Sequence, residues 1–105
     1  MSDRYSDQPF LRFVDAWVMR AIGHLDPATD AWCTAMEPQL RQSFGIDGRW
    51  PDIVAKRMQF QPTLAAQIRT IWDEGKARFE QGNGTAADPA QFAMLFVDRN
   101  LRDLK

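Results

Sequence analysis

The residues that could do chemistry in this chain are few. His24 is its single histidine and Cys33 its single cysteine. A general base needs an orienting acid and a nucleophile within reach. Asp26 stands two residues from His24 and could orient its ring, but no nucleophile motif accompanies the pair. Structural zinc takes four ligands from cysteine, histidine or carboxylate, which would leave most of a site to acids such as Asp26 and Asp30. The sequence therefore predicts no catalytic residue, no metal and no cofactor. His24 and Asp26 remain as a candidate cleft near the end of the first helix. At that end His24 is also placed to cap backbone carbonyls, where its protonated form suits the helix dipole. Cys33, between Trp32 and Thr34, reads as a small buried hydrophobe. A reactive thiol wants a cationic neighbour, and the nearby acids Asp30 and Glu37 oppose thiolate formation.

The stretch SFGIDGRWPDI, residues 43–53, raises a ligand-loop question. A phosphate cradle needs spaced glycines after a strand, with a lysine and a hydroxyl at the helix start. A calcium loop needs oxygen ligands at alternate positions closed by a glutamate. Neither set is present, since Asp47 fits the second pattern alone and Asp52 is out of phase. The stretch reads as a corner: Gly45 ends one helix, Asp47-Gly48 turns, Pro51 opens the next, and Trp50 clamps it. Were Trp50 left open beside Arg49, the two would suit a partner-binding hot spot, so Arg49 and Trp50 form the candidate interaction surface.

The elements that must position these residues are helical. Asp26-Pro27 and Asp88-Pro89 place an N-cap aspartate before a first-turn proline, and Pro9, Pro51 and Pro62 also precede apolar-periodic stretches. The first helix is expected from about Pro9 to Gly23 or Leu25. It is apolar around most of its circumference and so buried on most sides. A second begins at Pro27 with Ala28, Ala31, Trp32, Ala35, Met36, Leu40 and Phe44 on one face. Pro38 should kink or split it near Glu37. A third, Pro51 to Gln59, buries Ile53, Val54 and Met58. A fourth, Pro62 to Gln81, carries Leu64, Ala65, Ile68, Ile71, Trp72 and Phe79 along one stripe. Residues 82–88 form a loop and a last helix starts at Pro89. No stretch alternates as a half-buried strand does. The expected fold is all-α: residues 1–105 as one domain of four to five helices packed around a largely buried N-terminal helix, with fraying ends at about 1–8 and 99–105.

Composition bounds the function. Thirteen basic residues against 14 acidic ones leave a net charge of −1, and no basic stripe marks a nucleic-acid surface. No apolar run spans a bilayer, the N-terminal MSDRYSDQPFLRF lacks a signal-peptide pattern, and one thiol fits a reducing compartment. A cytoplasmic protein is expected, with no membrane partner. Aromatics make up 11% of the chain, enough to leave surplus apolar surface, which tends to mark interfaces that a homodimer commonly covers. The leading expectation is a non-catalytic protein acting through a protein partner or through itself. One alternative is a small-molecule binder or minor enzyme using His24, Asp26 and Arg49. Another is a helix-turn-helix regulator presenting Lys56, Arg57 and Gln59, against which stand Asp52, the neutral charge and a long turn.

Overall fold

Proline placement and capping set the boundaries of the helices in the computed structural model, which describes residues 10–101. Among them every regular element is a helix: α1 (Leu11–Ala21), α2 (Pro27–Ala35), α3 (Glu37–Phe44), α4 (Trp50–Met58), α5 (Leu64–Asn83) and α6 (Pro89–Phe96), followed by a π-helical turn at Val97–Leu101. The expected all-α domain is present. The ends expected to fray lie mostly outside the described residues, and 97–101 within them are helical.

Several boundaries have visible causes. α1 stops at Ala21, short of the expected Gly23 or Leu25, because Gly23 turns left-handed at φ 79°. The Gly23 N–H then donates to the Arg20 carbonyl at 3.1 Å and the His24 N–H to that of Met19 at 2.9 Å, which is the paired Schellman closure. α2 opens as its sequence grammar implies: the Asp26 carboxylate accepts the Thr29 N–H at 2.9 Å and Pro27 takes the first turn. Pro38 has no N–H to continue the ladder, so the expected second helix is two, α2 and α3, parted at Met36. That split is why six helices stand where four to five were expected. α5 begins at Leu64, after a turn at Pro62-Thr63, and runs through Gly82 to Asn83 before Gly84 ends it at φ 67°.

α1 is the hub. Seven of its eleven residues are buried: Leu11, Phe13, Val14, Asp15, Ala16, Trp17 and Val18. It touches α2, α4, α5, α6 and the π turn, the central role that its all-round apolar pattern implies. Trp17 ties it to α4, its indole Nε1 donating to the Pro51 carbonyl at 3.2 Å and its ring resting 4.6 Å from that of Phe60. Phe13 stacks on Trp32 at 5.0 Å. Ile53 and Val54 of α4 and Ile68 of α5 complete the interior, each such side chain contributing roughly 1.5–3 kcal/mol on burial.

The expected stripe on α5 is only half covered. Leu64, Ala65, Ile68 and Trp72 lie in or against the core, but Ile71 is 46% exposed and Phe79 43%. Ile71 stands at the edge of the stripe, between the buried Ile68 and Trp72, whereas length explains Phe79. At 1.5 Å per residue α1 is about 16 Å long and α5 about 30 Å, so the second half of α5 extends past the helix it packs on.

Candidate functional site

The Gly45–Arg49 loop is held from inside. α4 has no capping side chain of its own, because Arg49 sits at the N-cap position. Its orphan donors need a partner from elsewhere. Glu37, at the start of α3, supplies one: Oε2 accepts the buried Trp50 N–H at 2.9 Å and the Arg49 Nε–H at 3.0 Å. Arg41 stands 3.9 Å from the other carboxylate oxygen and donates to the Gly48 carbonyl at 3.0 Å. The Trp50 indole donates to Asp30 at 3.1 Å. Burial pushes the Glu37 carboxyl up, but the Trp50 N–H, Arg49 and Arg41 outweigh it and hold it below the usual 4.5. The corner reading of residues 43–53 is the one the geometry supports, and it corrects the candidate surface. Trp50 is 1% exposed, drawn inward by the bonds its backbone and indole make. Arg49 alone of that pair reaches solvent, and it is already paired with Glu37.

His24 and Asp26 do not converge. The His24 ring meets Trp72 edge-on at 5.4 Å, and the residue contributes its backbone N–H to the α1 cap, where the sequence suggested its side chain. Hydrogen bonds from Thr29 hold the Asp26 carboxyl below the usual 3.8, so it is committed to capping α2. A shallow hollow at this end is lined by Arg20, Gly23, Leu25, Pro27 and Asp30, and by neither candidate. Among the described residues no three histidine, cysteine or acidic side chains gather to hold a metal ion. The Cys33 thiol is buried and pushed up to about 11, first by desolvation and then by Asp30, which removes its nucleophilic form at neutral pH. On α4, Lys56 and Arg57 are exposed, with the Arg57 guanidinium 5.3 Å over the Phe44 ring.

An apolar surface lies open between the second half of α5 and α6. There a groove of about 250 Å³ is walled by Trp72, Gly75 and Phe79 on one side and by Phe92 and Leu95 on the other. Trp72 and Phe92 meet at its floor, ring centroids 5.2 Å apart. Phe79 and Leu95 stand at 43% and 46% exposure on opposite walls. Lys76 and Asp88 mark its rim, the Lys76 ammonium lying 5.7 Å from the centre of the Trp72 ring. Sequence periodicity placed Trp72 and Phe79 on one face. It carried no signal for where the neighbouring helices end. No described helix is long and apolar enough to cross a membrane. No protein-family model, curated protein or solved structure matches this chain.

Proposed function

We propose that this chain is a non-catalytic helical protein that works by docking a protein surface onto the α5–α6 groove. One observation carries the reading: two large apolar side chains, Phe79 and Leu95, stand open on facing walls of a single groove. Scattered exposed hydrophobes need no explanation, whereas a contiguous apolar groove with a polar rim is how binding sites present themselves. The groups whose acidity the fold perturbs are already engaged within it. The perturbed carboxylates of Glu37 and Asp26 are engaged with backbone N–H donors, and the Cys33 thiol is inert. A cytoplasmic setting goes with this proposal, on the strength of the single unpaired cysteine.

A photo-crosslinking phenylalanine analogue at position 79, activated in intact cells, tests the reading. A protein adduct is expected there and is not expected from the same analogue at Gln42, an exposed position on α3. No protein adduct at position 79, or equal adducts at both positions, overturns it.

A further inference from the structure

We propose that Asn83 is a site of spontaneous covalent modification, its side-chain amide leaving as ammonia when the side chain closes a ring with the Gly84 nitrogen. The reaction needs a backbone nitrogen to approach a side-chain carbonyl, and glycine alone brings no Cβ to crowd that approach. Residues 81–85, QGNGT, hold the one Asn-Gly pair of the chain. The Gly84 nitrogen bonds to Asn83 Cγ and gives up its proton. The Cγ–Nδ2 bond breaks, ammonia leaves, and a cyclic imide remains. Water then adds across either imide C–N bond. Opening at the side-chain carbonyl leaves an aspartate at position 83. Opening at the backbone carbonyl leaves an isoaspartate, whose main chain runs through Cβ and Cγ. Water is the sole co-reactant.

The helix end decides whether the ring can close. The Gly84 N–H donates to the Glu80 carbonyl at 2.9 Å, and Asn83 Nδ2 donates to the Phe79 carbonyl at 3.0 Å. Both bonds must open, and the Asn83 ψ must leave the helical region, before nitrogen and Cγ can meet. Only the last turn of α5 is involved. Asn83 is the final residue of that helix, residues 77–86 are all exposed, and no α5 hydrophobe beyond Trp72 joins the core. Gly82 weakens the turn from within. A Cβ at Gly82 or at Gly84 would meet nothing within 4 Å, so no neighbour holds the turn shut. A terminal turn of this kind opens locally, without unfolding the domain. Asn100 provides the contrast. Its Nδ2 donates to the Phe96 carbonyl at 3.1 Å in the same way, but Leu101 follows it, and a branched side chain crowds the attacking nitrogen. The product also loosens the turn that made it. A carboxylate has no N–H for the Phe79 carbonyl, and it sets negative charge at a helix C-terminus, where the dipole disfavours it. The change is irreversible and accumulates with the age of the chain, one turn from the Phe79 wall of the groove.

Incubation of the folded chain at neutral pH, followed by peptide mass spectrometry, reads conversion at each asparagine. Aspartate and isoaspartate are both expected at position 83, formed at a rate within about tenfold of that in a synthetic peptide of residues 79–87. Asn100 should stay an amide over the same period. Gly84→Ala puts a Cβ on the attacking residue and should slow conversion several-fold, although the left-handed φ of 67° makes the alanine turn easier to open. Glu37→Gln weakens the fold at the other end of the molecule. It should leave the rate at position 83 within about twofold, since the opening is local. Far-ultraviolet circular dichroism confirms that each variant is folded. A folded chain more than about tenfold slower than the peptide overturns the inference. So does equal conversion at Asn100, a rate unmoved by Gly84→Ala, or a rate that Glu37→Gln raises beyond that twofold, which would place the reaction in the unfolded chain.

Discussion

Removing the Glu37 carboxylate should undo the corner that sets α4. The side chain is 8% exposed and gives the buried Trp50 N–H its partner at 2.9 Å. Glu37→Ala strands that donor, which costs about 1–3 kcal/mol, and it deprives α4 of its only cap at that residue, a loss that overlaps with the first. The ion pair adds less than about 1 kcal/mol because Arg49 is 70% exposed and solvent screens it. The sum is a destabilisation of about 2–3 kcal/mol. It should appear in urea unfolding as a lower midpoint with an unchanged slope, and as a fall of about 10 °C or more in Tm. Glu37→Gln keeps an acceptor oxygen and loses the charge, so about 1 kcal/mol is expected. The carboxyl also has a pH signature. It is held below 4.5 in the folded chain, so the unfolded chain binds more protons as the medium is acidified. Its contribution is complete above about pH 4.5 and is lost as pH falls through the folded value. The gap between wild type and Glu37→Gln should therefore close on acidification below about pH 4.5. A Glu37→Ala chain within about 0.5 kcal/mol of wild type, or a glutamine variant as damaged as the alanine one, would refute the reasoning.

Three further outcomes follow from single residues. Cys33, with its thiol at about 11, has a thiolate fraction of about 10⁻⁴ at pH 7; it should resist a thiol-specific disulfide reagent while folded and react fully in denaturant, and rapid labelling of the native chain would contradict its burial. Gln59 holds φ 60° at the end of α4, where glycine escapes the left-handed penalty but gives up backbone entropy; Gln59→Gly should raise stability by about 0.5–1 kcal/mol, and a lower urea midpoint would show that no strain is stored there. A Cβ at Gly75 would meet nothing within 4 Å; Gly75→Ala should stabilise α5 by about 0.5–1 kcal/mol, and a loss would reveal a close approach there.

What the sequence disclosed and what it concealed divide by range of interaction. Asp26-Pro27 and Asp88-Pro89 cap their helices as read, because an N-cap and its donor lie within three residues. Pro38 splits α2 from α3 by equally local sterics. The αL turn at Gln59 is local too, yet it was hidden: the Phe60 N–H closes onto the Ala55 carbonyl at 2.9 Å, a Schellman end without the glycine that announces one. Glu37 was concealed by distance, since its partner is 13 residues away. The signal available was an absence, for Arg49 is a poor N-cap and α4 had to borrow one. Trp50 could be read either way until that borrowed cap fixed it inward. On α5, a repeat of three to four residues named the face bearing Phe79. Whether anything lay against that face depended on the length of α1, a fact about another segment.

The two ends of the molecule meet opposite physical demands, and this is the ground for assigning function to one of them. At the α2–α3–α4 corner the polar groups that folding withdrew from water have partners, and among the described residues no buried side-chain nitrogen or oxygen lacks one. Catalytic and ligand-binding centres are commonly recognised by groups whose charge or hydrogen bonding the fold leaves unsettled. The Glu37 cluster perturbs a carboxylate and at once spends it on Trp50 and Arg49, so its perturbation belongs to architecture. At the α5–α6 end the unmet demand is apolar. Phe79 and Leu95 stay in water although α5 has an apolar stripe that continues toward them. The α5 hydrophobes in or against the core are Leu64, Ala65, Ile68 and Trp72, and none follows Trp72. The face of the later turns gains only when another surface covers it, which is the physical ground for the docking role proposed for it.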